Sequence, residues 1–382
     1  MFYIQDPTYG NTILLHEALL NACEEAKYGA GVYAFVTASG VSLFLEDNLF
    51  KEFISDGCFK LIIGIDEITN TKALDKLNEL IDIYNGKLKV LAFLHNTKNS
   101  IFHPKFSWFK KESGGILVLG SGNLTEKGLR RNREAFIYIE VDQARIEEIE
   151  EYWNNWLLHN NEHLKSIEND EVRERVKVNE VRYQNDKRRR KEEQADNQQN
   201  AEVEESIDEN EQIEEVIIES EDIEVWSYDD ENEVLVAQIP RSKNRWKQAN
   251  FDKDSFEHFF DAIIGDSNSR LLLRNITNNG EMEEIEVRPG VTVKSHNWRI
   301  ELGAATRKDY PDSDRPTGIF IKVATRMFLY VLAMPEDSYY NEVKDLLDEK
   351  VTHNKPIKRY RTNVEEIKNE CPNLPIWEVD ID

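Results

Sequence analysis

The chain has few of the residues that stabilise a fold through disulfide bonds or a structural metal. Its 382 residues include three cysteines, Cys23, Cys58 and Cys371, which lie far apart in the sequence. Their spacing matches neither a metal-ligand set nor a redox pair. We therefore expect a protein of the reducing cytoplasm.

Long apolar runs are also lacking. No uninterrupted stretch approaches the ~18 residues that a membrane-spanning helix requires, and residues 1–6 show no basic region followed by an apolar core. We expect a protein that neither spans a membrane nor is exported. No Gly-rich phosphate-binding loop ending in Gly-Lys-Ser or Gly-Lys-Thr occurs, so any dependence on a nucleoside triphosphate would come from a partner.

Acidic residues outnumber basic residues over the whole chain, but most of the excess lies in one segment. The net charge is −25, and 19 Asp and Glu without any Lys or Arg lie between residues 192 and 233. The other 340 residues together carry only −6. A chain of this length accommodates two ordinary domains, and its acidity belongs to the segment between them. A nucleic-acid partner is therefore compatible with the composition.

Residues 161–233 form the predicted linker. The segment begins with alternating charges, continues with a basic run over 187–191 and ends in the acidic run. It cannot bury enough apolar surface to offset the entropy lost on ordering, which favours a solvated tether. The alternative is that the acidic run mimics DNA, folds over a basic catalytic cleft and restrains it.

Residues 1–160 show the pattern of an α/β domain. Apolar residues at helical spacing predict helices around 15–26, 74–84 and 146–157, and apolar runs predict strands over 31–37, 59–65 and 88–94. Three further strands are predicted over 101–109, 116–119 and 135–139. We expect a mixed sheet flanked by helices.

Residue types suited to phosphodiester chemistry accompany these last three strands. They are His103, Lys105, Ser121, Asn123 and Glu134. Attack on an anionic phosphodiester needs a nucleophile with an available lone pair, and cationic or N–H donors around the non-bridging oxygens. Imidazole and lysine supply both. A His-x-Lys pair alone is a weak signal, since it recurs at His163 and His353; only the pair at His103 has the rest of the pattern.

The set resembles the HKD half-site of the phospholipase D superfamily, whose members cleave phosphodiester bonds through a histidine. The resemblance implies that His103 of one copy attacks phosphorus to form a phosphohistidine, and that His103 of a second copy protonates the leaving oxygen. Lys105 would hold a phosphate oxygen, and Ser121 and Asn123 would donate further hydrogen bonds. Glu134 would fix the tautomer and orientation of an imidazole. No metal or other cofactor is required.

One position departs from the HKD pattern. Where the pattern has an aspartate five residues after the lysine, this chain has Lys110, which disfavours lipid chemistry more than nucleic-acid cleavage. Several basic residues surround the site in the sequence, and we expect them to supply positive charge for a polyanion. They are Lys110, Lys111, Lys127, Arg130, Arg131 and Arg133.

Residues 234–382 are rich in predicted strands. These cover 234–239, 269–276, 282–287, 291–302, 317–324 and 326–334, with helices around 256–263 and 338–350. Many short strands with two helices indicate a closed or half-closed β barrel. A basic arm lies near its start: Arg241, Lys243, Arg245 and Lys247 alternate and are followed by Gln248 and Asn250. In an extended arm the four cations face one side, and the two amides could contact base edges.

The sequence from Ile239 to Phe251 resembles the plant B-three-type DNA-binding pseudobarrel at the C-terminus of NgoFVII-type and BfiI-like restriction endonucleases. Those enzymes join a phospholipase-D-like nuclease to this module in the same order, so the resemblance covers both ends of the chain. It implies two arms that grip the major groove. The first is the Arg241 segment, and the second is placed near Arg307, Lys308 and Arg315.

These observations predict a sequence-specific, metal-independent restriction endodeoxyribonuclease. Its expected partners are double-stranded DNA, a second copy bound through the N-terminal domain, a cognate methyltransferase and, as in some relatives, a separate helicase-type ATPase subunit. We expect the two copies to meet along the loops that carry Ser121, Asn123 and residues 126–133. Two alternatives stay open. One is a lipid phosphodiesterase, which the absence of a basic amphipathic helix disfavours; the other is a DNA-binding protein with an inactive half-site.

Overall fold

The computed structural model describes residues 1–97, 100–181, 226–241, 246–265, 268–293, 297–306, 308–352 and 356–379. The chain divides into two compact units. The first contains Met1–Gln5 and Ile13–Glu224, and the second contains Asp6–Thr12 and Val225–Asp382. Most of the predicted linker, from residue 182 to 225, lies outside the described residues.

The first unit is built on a mixed sheet of eight strands. These are β1 (Phe2–Gln5), β2 (Tyr28–Tyr33), β3 (Cys58–Gly64), β4 (Leu88–Phe93), β5 (Lys105–Lys110), β6 (Gly115–Gly120), β7 (Glu134–Val141) and β8 (Leu164–Ser166). The strand order is β1-β7-β6-β5-β2-β3-β4-β8. Strands β2, β3 and β4 run parallel to one another, and the remaining neighbours pair antiparallel. The mixed sheet predicted for this half is confirmed.

Helices flank this sheet. Within the described residues they are α1 (Leu15–Cys23), α2 (Ala38–Leu45), α3 (Asn48–Asp56), α4 (Thr71–Ile83), α5 (Gln143–His159) and α6 (residues 170–181). Side chains of Thr37, Asp47, Asn70 and Asp142 accept N-cap hydrogen bonds at α2, α3, α4 and α5, which satisfies backbone donors that a helix leaves unpaired. Helix α5 buries Trp153 against Trp108 of β5.

The folded part of the first unit continues beyond residue 160, where we expected it to end. Strand β8 pairs antiparallel with β4, and the side chains of Val172 and Val176 on α6 are fully buried. The sequence of α6 is dominated by charged residues and contains only a few apolar residues at helical spacing, so its composition resembles that of a solvated linker. These few apolar side chains are nevertheless sufficient to pack the helix against the unit.

The second unit contains a six-stranded and a three-stranded sheet. Its strands are β9 (Glu233–Gln238), β10 (Gln248–Phe251), β11 (Arg270–Asn275), β12 (Glu286–Pro289), β13 (Val291–Val293), β14 (Asn297–Glu301), β15 (Thr317–Ala324), β16 (Met327–Ala333) and β17 (Arg359–Asn363). The larger sheet has the order β12-β11-β16-β15-β9-β17, and the smaller β10-β14-β13. Helices α7 (Tyr340–Lys350) and α8 (Val364–Glu370) complete the unit.

Three predicted elements of this unit differ from the structure. The strand expected over 282–287 is replaced by β12, which begins at Glu286 and ends at Pro289. The single strand expected over 291–302 is divided into β13 and β14, which pair antiparallel with each other. The helix expected over 256–263 is a five-residue π-helix, Ser255–Phe259, whose phenylalanines are buried in the core. The strand pairings of the described residues do not close into a ring, and the pseudobarrel stays a prediction.

An N-terminal segment also belongs to the second unit. The buried guanidinium of Arg326 donates to the backbone oxygens of Gly10 (2.9 Å) and Thr12 (2.8 Å), and the Thr325 N–H donates to Pro7 O (2.9 Å). Among the described residues, no helix combines the length and apolar character needed to cross a lipid bilayer.

Candidate active site

Four neighbouring strands begin or end at one edge of the first sheet. Lys105, the first residue of β5, pairs with Tyr33, the last of β2. Gly120 ends β6, and Glu134 begins β7. Because β5 and β7 run opposite to β2 and β6, their first residues lie beside the last residues of their neighbours. This edge therefore carries the predicted catalytic positions.

His103 lies in a loop rather than in the strand predicted over 101–109. Strand β5 begins at Lys105, and the imidazole before it is exposed. Pro104 has no N–H to give to a strand ladder, and the Phe102 N–H donates to the carboxylate of Asp66 (2.7 Å). These two residues keep the chain out of the sheet, and the histidine is presented at its edge.

Lys105 lies against the imidazole. Its Nζ is 2.9 Å from His103 Nε2, 3.1 Å from Nδ1 and 3.3 Å from the His103 carbonyl oxygen. An ammonium donates to a ring nitrogen only where that nitrogen carries a lone pair, so the contact fits a neutral imidazole. The Lys105 residue is only 7% exposed, which places its charge where water screens it weakly.

Phe35 connects the histidine to Asn123. The Phe35 ring packs edge-on against the His103 ring, with centroids 5.8 Å apart. Its backbone N–H donates to Asn123 Oδ1 (3.2 Å), and Leu124 N donates to Phe35 O (3.2 Å). The Asn123 side chain is buried and its carbonyl oxygen points to the Phe35 backbone, so the amide NH₂ points the other way. No sequence pattern singled out Phe35.

Glu134 and Ser121 form a hydrogen-bonded pair across β6 and β7. The Ser121 hydroxyl donates to Glu134 Oε2 and accepts from the Ala135 N–H (3.0 Å). Asn132 Nδ2 donates to Glu134 Oε1 (3.2 Å). Glu134 is 7% exposed, whereas Ser121 is exposed. A buried carboxylate thus fixes an exposed hydroxyl at the edge that carries His103.

The arrangement offers the elements of phosphodiester cleavage. An exposed imidazole can attack phosphorus through a ring nitrogen once the adjacent ammonium turns from that nitrogen to a non-bridging oxygen, whose charge it then stabilises. The Ser121 hydroxyl, which donates its proton to Glu134, and the buried Asn123 amide are further polar groups at the same edge. Rigid backbone contacts around Phe35 and Ala135 hold these groups before a substrate arrives, which is the condition for efficient electrostatic stabilisation.

Only some of the basic residues that we expected around the site lie at this edge of the sheet. Arg130 is fully buried, 3.5 Å from Glu17 Oε1. Lys110 lies at the far end of β5 and pairs with Glu150 (2.6 Å). The prediction is therefore wrong for these two cations. Arg133 is exposed beside Glu134, at the site edge.

Some of the described residues of the two predicted DNA-binding arms meet in the second unit. Arg241, Lys247 and Lys308 line one cavity of about 520 Å³ together with Trp246 and Tyr310. The Arg241 guanidinium lies 5.5 Å from the centre of the Tyr310 ring. Lys243, Arg245 and Arg307 lie outside the described residues. The cavity thus collects three cations, together with Asp309, from segments about sixty residues apart in the sequence.

Several of the predicted DNA-binding residues have partners within the unit. Arg241 lies 3.7 Å from Asp312 Oδ1, and Lys247 Nζ lies 3.7 Å from Glu301 Oε1. Asn250 Oδ1 accepts from Arg299 Nε (3.1 Å) on the neighbouring strand β14. Gln248 begins β10 and is half-buried. Arg315 donates to the Pro356 carbonyl, outside the cavity-lining set. Of the predicted DNA-binding residues that the structure describes, Arg241, Lys247 and Lys308 therefore line the cavity.

No protein-family model matches the chain, and no curated protein matches it. Solved structures similar to it include NucT from Helicobacter pylori (15% identity, TM-score 0.31, 44% of this chain and 97% of that one). The phospholipase D family member Nuc from Salmonella typhimurium follows at 14% identity (TM-score 0.30, 43% and 96%). Phosphatidylserine synthase from Haemophilus influenzae matches at 13% identity (TM-score 0.30, 43% and 39%). Each match covers less than half of this chain.

Proposed function

We propose that the chain is a phosphodiesterase of the phospholipase D kind that cleaves DNA without a metal, with His103 as its nucleophile. The observation that carries the proposal is the contact between the exposed His103 imidazole and the buried Lys105 ammonium, 2.9 Å apart. Asn123 and the Ser121–Glu134 pair lie at the same sheet edge. Together they provide a nucleophile, a cation and polar side chains around the position of the phosphate.

The reaction takes place in two displacements. A ring nitrogen of His103 attacks phosphorus, its lone pair forms the N–P bond, and the P–O bond to the leaving nucleotide breaks. A second histidine gives its proton to the leaving oxygen. Water then attacks the phosphohistidine, the second histidine takes the water proton, and His103 leaves as the neutral imidazole. Lys105 stabilises the charge that develops on the non-bridging oxygens in both steps.

The second histidine comes, in this proposal, from a second copy of the chain. A two-fold axis brings identical patches together, so two half-sites would complete each other. We expected the interface along residues 121–133, but Asn123, Thr125 and Glu126 are buried within their own chain. An exposed apolar face on β1 and β6 is better suited to association: Phe2 is 62%, Ile4 63% and Leu119 44% exposed.

DNA is the proposed substrate because of the cationic cavity of the second unit. Arg241, Lys247 and Lys308 can contact phosphates, and aromatic neighbours hold this surface in place. A nuclease joined to such a module would cut near the sequence that the module selects, which is the activity of a restriction endonuclease. A methyltransferase and a helicase-type ATPase subunit are further proposed partners of that system.

Cleavage of supercoiled plasmid in EDTA tests the proposal. The wild-type protein should nick or cut the DNA, and His103→Ala should lose all activity while still binding DNA. His159→Ala, which removes an exposed histidine on α5, is the matched control and should cleave normally. Hydrolysis of phospholipid vesicles but not of DNA would support the lipid alternative, and DNA binding without cleavage by the wild type would indicate an inactive half-site.

A further inference from the structure

The loop that carries His103 is held near both ends by one carboxylate. Asp66 follows β3, and its Oδ2 accepts from the Phe102 N–H (2.7 Å) and lies 3.2 Å from His95 Nε2. His95 follows β4, and Phe102 precedes His103 directly. The side chains of Asp66 and His95 are 9% and 8% exposed. One buried group therefore joins the beginning of the loop to the residue next to the nucleophile.

The hydrogen bonds of His95 fix its role as a donor to Asp66. Its Nδ1 accepts from the Thr97 N–H (3.3 Å), so in the neutral ring the proton is on Nε2, the nitrogen that faces Asp66. Arg175 of α6 lies 3.6 Å from Asp66 Oδ1 and donates to Asn96 Oδ1 (3.1 Å). The carboxylate thus has a neutral donor on one side and a cation on the other.

Phe102 is held by its side chain as well as by its amide. Its ring is 8% exposed and stacks on Phe93 of β4, with centroids 4.2 Å apart and planes 12° apart. The next residue, His103, meets the Phe35 ring and Lys105 Nζ. A shift of the Phe102 backbone would therefore move the imidazole away from both groups.

We propose that Asp66 is a positioning residue that holds His103 in line with the phosphorus. The Asp66 carboxylate is not itself a partner of the His103 imidazole; it acts through the Phe102 amide and through His95. This inference rests on the proposed phosphodiesterase activity. Misplacement of a reacting group by about 1 Å can cost about 100-fold in rate, which is the loss expected when the loop is released.

Three variants separate positioning from general damage. Asp66→Ala removes both hydrogen bonds to the loop. Asp66→Asn keeps an oxygen for the Phe102 N–H but loses the charge and presents a poor partner to His95. Asp75→Ala is the control, because Asp75 is also paired with an arginine of α6 (Arg173, 2.6 Å) but lies on α4, away from the loop, and is 63% exposed.

The readouts are the single-turnover rate on saturating DNA, the Kd for DNA, hydrogen exchange of the peptide spanning residues 100–106, and the ring resonances of His103 in protein labelled at histidine. We expect Asp66→Ala to cleave about 100-fold more slowly with Kd within threefold, faster exchange in that peptide and a shifted His103 resonance. Asp66→Asn should lose about tenfold. Asp75→Ala should match the wild type in all four.

Several outcomes would overturn the inference. These are an Asp66→Ala rate within threefold of the wild type, a loss that Asp75→Ala shares, or a weaker Kd that accounts for the whole loss. If the wild type cleaves no phosphodiester, the proposed function fails on its own. Hydrogen exchange of residues 100–106 and the ring resonances of His103 then test the role of Asp66 by themselves. If both are unchanged in Asp66→Ala, the positioning role is refuted.

Discussion

Replacing Lys105 with methionine removes the cation nearest the nucleophile while keeping most of the aliphatic stem. Nζ lies 2.9 Å from His103 Nε2, so an oxygen on phosphorus bound there would be within hydrogen-bond reach of the ammonium. Two unit charges ~3 Å apart interact by roughly 5 kcal/mol at an effective dielectric constant near 20. The diester already carries one negative charge before it reacts, and only the charge added in the transition state affects kcat.

The loss of one preorganised donor to a developing oxyanion costs ~3–4 kcal/mol, or about 100- to 1,000-fold in rate. We expect Lys105→Met to lower the single-turnover rate by this factor in EDTA, with DNA affinity within a few fold, because the second unit carries the proposed DNA contacts. Lys89→Met, which removes an exposed strand lysine on β4, should cleave at the wild-type rate. A Lys105→Met enzyme within threefold of the wild type would refute the assigned role.

Three further predictions follow from the same contacts. Mixing wild-type protein with an excess of His103→Ala chains should abolish nearly all cleavage, because a shared site then holds one histidine; half-maximal activity of the hybrids would contradict the shared site. Reversing Arg241, Lys247 or Lys308 to Glu should weaken DNA binding measured by fluorescence anisotropy and lower the salt slope by about one per lost phosphate contact; an unchanged slope would place the contacts elsewhere. Gly128→Ala should lower the melting temperature and slow cleavage, because the new Cβ would lie 2.6 Å from Asn123 O and 2.7 Å from Asn123 N; overpacking of this kind costs roughly 1–3 kcal/mol, and an unaltered melting curve would contradict it.

The candidate catalytic residues were selected from the sequence because their types and order are unusual, and their catalytic roles stay a prediction. Apolar runs before Ser121 and after Glu134 predict strands, and alternating antiparallel strands bring such positions to one edge. The structure places His103, Lys105 and Asn123 at that edge as well. Local patterns were sufficient to predict these positions because each residue lies at a strand end or in the loop beside one.

The positioning residues could not be selected in this way. Asp66 is 36 residues from Phe102, and the backbone of Phe35 meets Asn123 across 88 residues. Neither residue has a distinctive neighbour in the sequence, and their partners exist only after the sheet has formed. The same reason explains Arg130, which looked like a free surface cation but pairs with Glu17 across 113 residues in the buried interior.

Helices α2 and α3 also escaped the sequence analysis. Helix α2 contains Gly40 and the β-branched Val41, both weak helix formers. The structure shows what compensates for them: Thr37 caps the helix, and a Cβ at position 40 would lie 2.2 Å from Leu124 O. The glycine permits a close approach to the segment that carries Asn123. Helix propensities describe local preferences and do not include such a tertiary contact.

The stereochemical course at phosphorus tests the central claim, that His103 forms a covalent intermediate, most directly. A substrate with a single phosphorothioate of known configuration at the cleaved bond is hydrolysed in ¹⁸O-labelled water with EDTA present, and the configuration of the product is determined. Two successive in-line displacements, first by His103 and then by water, predict net retention. Net inversion would mean that water attacks the DNA directly, and it would contradict the phosphohistidine mechanism.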